Sequence, residues 1–226
     1  MNMNTQDLFA AMQQHFTIYP KETTFDFEQT LKQGFFPACT GTIDGSFILP
    51  KVEALIIGQD FGTLKDYKKR VEGKGENTES QSTWRQLMPM LNNLGVNPQH
   101  CFYSNYLMGL RNTEKGNVGV STSLADTDFV GQCKSFLELQ IKVLNPRKII
   151  FLGKVAYGLS KDLNEKQIKN LKFIEAIRIE NALKPYIKNE ANEIPCVYMI
   201  HPSYRDLNMN KGFWKVEDET GNRFKN

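Results

Sequence analysis

The chain has 226 residues, a length that fits one compact domain with a sizeable hydrophobic core. Hydrophobic residues make up 40% of the chain and charged residues 23%, a balance typical of soluble globular proteins that argues against a disordered or fibrous one. The net charge of +3 permits contact with a polyanion, but dedicated nucleic-acid domains are often more basic.

The first 50 residues are predicted to form a mainly helical segment. Apolar residues at helical spacing predict one helix over 5–16 and a second over 24–33. Residues 34–50 contain several glycines and prolines, which indicates a loop with a short hairpin. The apolar run VEALIIG at 52–58 then predicts the first strand, buried on both faces.

The next stretch contains a charged loop, a helix and a strand. Residues 64–82 are charged and have almost nothing to bury, so their composition predicts a mobile surface loop. Apolar residues from Trp84 to Leu94 mark one helical face, and Gly95 supplies the stop signal. The run CFYSNYLM at 101–108 predicts the second strand.

The remaining chain alternates between helices and strands. A mostly apolar face predicts a helix over 129–144, followed by a strand over 147–153 and a short helix over 154–160. A lysine-rich helical stretch is predicted over roughly 161–190, before a fourth strand at 195–200.

This alternation favours an α/β fold. We predict a three-layer α/β/α sandwich with a central, mainly parallel four-stranded sheet. No internal repeat or low-complexity tract divides the chain, so residues 1–226 are predicted to form a single domain.

The cysteines carry no metal-binding pattern. They are widely dispersed and form no CxxC pair, and the three histidines form no HExxH motif. Reduced, buried thiols are therefore favoured over a metal or cluster site at Cys39, Cys101, Cys133 and Cys196. We expect neither a metal nor another cofactor.

Targeting signals are also missing from the sequence. Residues 1–16 lack the basic, apolar and small-residue blocks of a signal peptide. No apolar run approaches the ~20 residues that span a bilayer. We therefore expect a cytoplasmic protein without a membrane span, acting as a monomer.

Polar residues follow the predicted strands at the point where each strand ends. In open α/β sheets, ligands bind beyond the carboxyl ends of the strands. Asp60, Asn105 and His201 are therefore expected to meet in one crevice. Each also has a purely structural interpretation: a turn cap, a partner for buried backbone groups, and a hydrogen-bonded strand end. Their shared edge favours a functional role.

Two other site types fit the sequence poorly. The segment GKVAYG at 153–158 lacks the GxxxxGK[ST] phosphate loop, and the chain contains no GxGxxG motif. A nucleophilic hydrolase is disfavoured because there is no GxSxG elbow and Ser203 has no obvious general base.

Four motifs in this order resemble the uracil-DNA glycosylase superfamily: GQDFG at 58–62, YSNYLMG at 103–109, IIFLGKVA at 149–156 and HPSYR at 201–205. The resemblance extends over about residues 51–205. It implies a DNA-base glycosylase that hydrolyses the N-glycosidic bond of a flipped-out uracil or related damaged base, as in base excision repair. The implied partner is DNA, either single-stranded or duplex with a flipped base.

The resemblance implies a role for each motif residue. Asp60 matches the carboxylate that positions water and faces the cationic sugar, and His201 matches the imidazole that stabilises the leaving base. Asn105 matches the amide that reads the base, while Gln59 and Ser203 belong to the motifs that form the base pocket. A carboxylate and a hydrogen-bond donor complement the charge separation of N-glycosidic cleavage.

The first motif departs from the GQDPY version of the family. Phe61 and Gly62 replace a Pro-Tyr pair whose tyrosine is implied to exclude the methyl group of thymine. Glycine removes that wall, which permits relaxed base specificity but does not require it, because other branches of the superfamily also have glycine here. Two roles stay open for Phe61, which either covers the flipped base or packs in the core.

Residues after the motifs are candidates for contact with DNA. Lys65 begins a lysine-rich loop that either contacts phosphates or is a solvated surface. Tyr204, Arg205 and Leu207 are candidates to fill the stack that a flipped base leaves. Trp84 is a candidate base-stacking residue, although its helical spacing favours core packing.

Two functional hypotheses follow from these features. The leading one is a glycosylase that acts on deoxyuridine in DNA. The alternative is a non-catalytic glycosylase-fold protein that binds nucleic acid or a protein partner. The trio of Asp60, Asn105 and His201 favours the first, because a pure binding module needs no such set.

Overall fold

The fold was analysed in a computed structural model, which describes residues 5–16, 18–20, 23–24, 52–65, 82–112, 120–163, 168, 170–177, 185–190 and 192–202. The strands are β1 (Thr23–Thr24), β2 (Ala54–Gly58), β3 (Cys101–Asn105), β4 (Leu110–Arg111), β5 (Lys148–Leu152), β6 (Tyr186–Asn189) and β7 (Asn192–Met199). The helices are α1 (Thr5–His15), α2 (Ser82–Asn93), α3 (Thr127–Leu144) and α4 (Gly153–Ser160), with 3-10 turns at Pro98–His100 and Thr122–Ala125.

The central sheet has five strands in the order β3-β2-β5-β7-β6. The first four strands of this order run parallel. Their register places Gly58 opposite Asn105, and Leu152 opposite Met199. The predicted mainly parallel sheet is confirmed, and the carboxyl ends of its four parallel strands share one edge.

The fifth strand corrects one detail of the sequence analysis. Strand β6 pairs antiparallel with β7, in a region that was predicted to be helical. This edge strand has four residues, and only Ile187 among them is buried, so its sequence carries almost no strand pattern. A separate antiparallel pair, β1 with β4, was also not predicted.

Helices cover both faces of the sheet, as predicted. Along β2, Leu55 and Ile57 pack in one hydrophobic cluster with residues of α1 and α3, including Met12 and Phe136. Alternate residues of the same strand pack in a second cluster with residues of α2, such as Leu91. Because successive side chains of a strand point to opposite faces, these two clusters form the two interfaces of a three-layer α/β/α sandwich.

Local signals set the ends of the helices. Asp126 caps α3 by accepting a hydrogen bond from the backbone N–H of Phe129, and the helix ends at Asn145 in the left-handed region, before Pro146. Gly95, with φ of +64°, follows α2 at the predicted stop. The helix predicted over 24–33 lies outside the described residues except for Thr24, which belongs to β1, and the loop over 34–50 and residues 66–81 also lie outside them.

Candidate active site

The parallel topology brings the predicted trio to one edge of the sheet. Asp60 lies two residues beyond β2, Asn105 ends β3, and His201 lies two residues beyond β7. Strand β5 lies between β2 and β7, so these two strands are about 10 Å apart at a spacing of ~4.8 Å per strand. The three residues therefore share the carboxyl edge of the parallel sheet, with one strand between the carboxylate and imidazole sides.

Three groups hold the Asp60 carboxylate. The backbone N–H of Gly62 donates to Oδ1 at 2.8 Å, and the amide of Gln59 donates to Oδ2 at 2.8 Å. The guanidinium Nε of Arg111 lies 3.2 Å from Oδ2. The carboxylate is only 5% exposed. The bond from Gly62 supports the turn-capping interpretation of Asp60, and its catalytic role stays a prediction.

Two opposing effects act on the charge of Asp60. Burial is the larger effect and raises the pKa of the carboxyl group. The positive charge of Arg111 opposes this shift most, followed by the hydrogen bonds from Gln59 and Gly62. A buried carboxylate without such partners would take up a proton.

Arg111 is the site residue that sequence reasoning missed. It lies in β4, and its side chain is 8% exposed. Its backbone N–H donates to the carbonyl of Gly62 at 2.8 Å, next to a bridge between Arg111 and Thr63. The only sequence signal was a single arginine at the end of an apolar stretch, six residues after Asn105.

The side chain of Asn105 is buried with a free donor. The residue is 2% exposed, and its Nδ2 has no hydrogen-bond partner in the part of the chain that the structure describes. A β-carbon at Gly58 would overlap its Oδ1, so the amide occupies the space that the glycine leaves. A buried amide donor without an acceptor is costly unless a ligand satisfies it.

His201 is a neutral imidazole at physiological pH. Burial lowers its pKa to about 4, so the ring carries one N–H and one acceptor nitrogen near pH 7. Gly153, with φ of +91°, lies against it, and a β-carbon at Gly153 would be 3.2 Å from the Cβ of His201. The neutral ring can donate a hydrogen bond without bringing a buried positive charge.

The other residues of the first motif have structural roles. Phe61 is 6% exposed and belongs to the hydrophobic cluster of α1 and α3, which supports the packing role. That its ring also covers a base stays a prediction. Gly62 has φ of +80°, a conformation that disfavours a tyrosine at this position. Gln59 is half-buried, and its amide orients Asp60.

The proposed DNA contacts are mostly beyond the described residues. Lys65 is exposed in a helical turn at 64–65, just after the first motif. Ser203, Tyr204, Arg205 and Leu207 lie outside the described residues, as does the side chain of Trp84. Their roles therefore stay predictions.

Cysteines and other metal-ligating residues are dispersed in the structure. Cys101, Cys133 and Cys196 are buried and form no disulfide within the described residues, and burial raises the pKa of Cys133 to about 12. No group of three or more His, Cys, Asp or Glu residues arranged for a metal ion occurs within the described ranges. None of the helices described is long and apolar enough to cross a membrane. Cys39 is not among the described residues.

Comparison with protein families places this arrangement in a known group. The family model of the uracil DNA glycosylase superfamily matches residues 47–220, which is most of the chain and contains all four motifs. A search of curated proteins found no match. The family match, together with an α/β fold in which the matching motif residues meet at one sheet edge, leads to one conclusion. The chain belongs to the uracil-DNA glycosylase superfamily.

Proposed function

We propose that this protein is a DNA glycosylase that hydrolyses the N-glycosidic bond of uracil, or of a related deaminated base, flipped out of DNA. The observation that carries the proposal is the grouping of Asp60, Asn105 and His201 at one edge of the sheet, with the buried amide donor of Asn105 lacking a partner among the described residues. A polar ligand would supply the acceptor that this donor needs.

The proposed chemistry follows from the charges of the site. As the bond between sugar and base breaks, its electron pair leaves with the base and the sugar becomes cationic. The Asp60 carboxylate stabilises that cation and orients a water molecule, which adds to the sugar carbon and loses a proton. His201 donates its N–H to the oxygen of the departing base, where negative charge develops. The base finally takes up a proton.

Asn105 is proposed to select the base. Its Nδ2 donates to the O4 carbonyl of uracil, and its Oδ1 accepts from the N3–H of the same edge. Cytosine presents an amino donor and a ring acceptor at these positions, so it would leave the buried amide unmatched. The site is thus complementary to a deaminated pyrimidine.

The range of bases is proposed to be broader than uracil alone. Gly62 has no side chain at the position where the family tyrosine is implied to block the methyl group of thymine. We therefore include thymine and 5-substituted uracils among the candidate substrates. One missing methyl contact is worth only about 1–3 kcal/mol of discrimination, so the preference is graded.

Abasic-site formation on a panel of oligonucleotides tests the proposal. Each oligonucleotide carries one altered base and is assayed as a single strand and as a duplex. Asp60→Asn and His201→Ala should each lower the cleavage rate by roughly 100- to 1000-fold. Binding of the oligonucleotide should change far less than cleavage.

Matched controls come from the same chain. Asp128→Asn changes an exposed carboxylate on α3, and His100→Ala changes an exposed histidine just before β3, at the opposite sheet edge. Both controls should cleave like the wild type. If the folded protein binds DNA but cleaves no base, the non-catalytic hypothesis replaces this one. If it cleaves but Asp60→Asn and His201→Ala keep full activity, the assigned mechanism is wrong.

A further inference from the structure

We infer that Arg111 is a positioning residue for Asp60: it keeps the carboxylate ionised and in one orientation for the cleavage reaction. This inference rests on the proposed function, because it assigns a role within that site. Arg111 is not expected to touch the sugar or the base. It acts through Asp60.

The ion pair is almost completely enclosed. Nε of Arg111 lies 3.2 Å from Oδ2 of Asp60, and the two side chains are 8% and 5% exposed. A surface ion pair contributes little, but a buried charge that loses its partner becomes strongly unfavourable. The protonation state of Asp60 therefore depends on Arg111 much more than it would at the surface.

The backbone fixes the position of the guanidinium group. The N–H of Arg111 donates to the carbonyl of Gly62, two residues from Asp60, at 2.8 Å. On its other side, β4 pairs with β1, where Arg111 lies opposite Thr23. Arginine and aspartate are thus carried on two segments that are hydrogen-bonded to each other, so their separation is set by the fold.

The contacts that Asp60 makes with the described residues leave an acceptor position available on one of its oxygens. Oδ2 faces both Arg111 and the amide of Gln59, whereas Oδ1 accepts one hydrogen bond, from Gly62. A carboxylate has about four acceptor positions. Oδ1 is therefore the oxygen that can accept a hydrogen bond from water, and Arg111 directs this asymmetry by engaging Oδ2.

The proposed role of Asp60 also requires its carboxyl group to be ionised. Burial raises the pKa of Asp60, and Arg111 is the charged group that opposes this rise. His201, at the end of β7, is neutral near pH 7, and Lys65, after the first motif, is exposed. A protonated carboxyl group would neither stabilise a cationic sugar nor orient water as an acceptor.

Three variants of the full-length chain test the inference in single-turnover cleavage of a uracil oligonucleotide across pH. Arg111→Gln removes the charge, and Arg111→Lys keeps it while losing the planar donor. Arg147→Gln is the matched control, because Arg147 is exposed before β5, at the opposite sheet edge.

The expected result is a shifted pH profile. Arg111→Gln should lower the rate by roughly 100-fold near pH 6, and its acidic limb should move to higher pH because Asp60 then holds its proton more tightly. In Arg111→Lys, the acidic limb of the pH profile should stay at its wild-type position, and the rate should fall by roughly 10-fold or less. Oligonucleotide affinity should be unchanged in both variants, and Arg147→Gln should match the wild type.

An NMR titration of the Asp60 carboxyl carbon separates this inference from the proposed function. If the wild type cleaves nothing, the proposed function fails, but a higher Asp60 pKa in Arg111→Gln than in wild type still supports the control of ionisation by Arg111. An unchanged pKa overturns the inference even if the enzyme is active.

A uniform rate loss at every pH also overturns the inference, as does a loss of DNA affinity equal to the loss of rate. If Arg111→Gln does not fold, a shifted limb in Arg111→Lys contradicts the inference.

Discussion

Gly58 lies directly against the side-chain amide of Asn105. The two residues are opposite each other in the parallel pair of β2 and β3, and a β-carbon at Gly58 would overlap Oδ1 of Asn105. The glycine at the end of β2 therefore provides the space in which the Asn105 amide sits. A side chain at Gly58 should therefore affect substrate cleavage by displacing the Asn105 amide.

Gly58→Ala should impair uracil cleavage while the protein stays folded. The added methyl group must push the Asn105 amide out of place, and a displacement of about 1 Å can cost roughly 100-fold in rate. The measurement is kcat/KM on uracil and cytosine oligonucleotides. Gly131→Ala is the control, because a β-carbon there meets nothing within 4 Å. Wild-type kinetics in Gly58→Ala would contradict the role of Gly58.

Asn105→Asp should abolish or change the base preference. The substitution keeps the shape of the side chain but replaces the buried Nδ2 donor with an acceptor, which repels the O4 carbonyl of uracil. We expect a loss of at least about 100-fold on uracil, which corresponds to one unmatched buried hydrogen bond to a charged group. The measurement is abasic-site formation on the panel of oligonucleotides that each carry one altered base. Unchanged cleavage of uracil would show that Asn105 does not read this edge.

Gly153→Ala should slow cleavage through His201. The backbone at Gly153 has φ of +91°, which costs an alanine roughly 1–2 kcal/mol of stability, and its β-carbon would press on the His201 Cβ at 3.2 Å. Thermal unfolding and single-turnover rates measure the two effects. Gly158→Ala in the same helix has open space around it and should be neutral or stabilising. Equal effects of the two substitutions would refute the contact.

Acidification should destabilise the protein through His201. Its pKa is about 4 in the folded state and 6.5 in the unfolded state, so between these values only the unfolded chain binds the proton. The free energy of unfolding should therefore fall as the pH drops from 6.5 to 4, by up to about 3 kcal/mol from this residue. Denaturant titrations of wild type and His201→Gln at pH 7.5 and 4.5 isolate the contribution of His201 to the free energy of unfolding, because the other titrating groups contribute equally in both proteins. Equal losses in both proteins would show that the His201 pKa is not lowered.

Much of the fold could be predicted because the parallel strands are buried on both faces. Such strands appear as continuous apolar runs, and residues 54–58, 101–105 and 148–152 are of this kind. Strand β6 could not be predicted, because an edge strand with one buried residue has no such run and its single lysine suits a helix surface equally well. Whether a strand could be predicted therefore depended on its burial more than on the β-propensity of its residues.

The same distinction applies to the site. The shared position of Asp60, Asn105 and His201 at one sheet edge could be predicted because each lies at the end of a recognisable strand, and parallel strands bring their ends together. Arg111 could not be predicted because its partner is set by backbone hydrogen bonds between β4 and the turn after β2. These bonds join residues about fifty positions apart in the chain, as in Arg111 to Gly62, and leave no local pattern.

Those backbone bonds have a further consequence for redesign. Tyr106 donates to the carbonyl of Gly58 at 3.0 Å, and Leu107 donates to that of Gln59 at 2.9 Å, beside the bond from Arg111. The segments 58–63 and 104–111 thus form a single module that carries the Asp60 carboxylate, its counter-ion Arg111 and the Asn105 amide. Exchanging one of these segments alone with that of a relative would break its hydrogen bonds to the other. A transfer of base preference between relatives has to move both segments together.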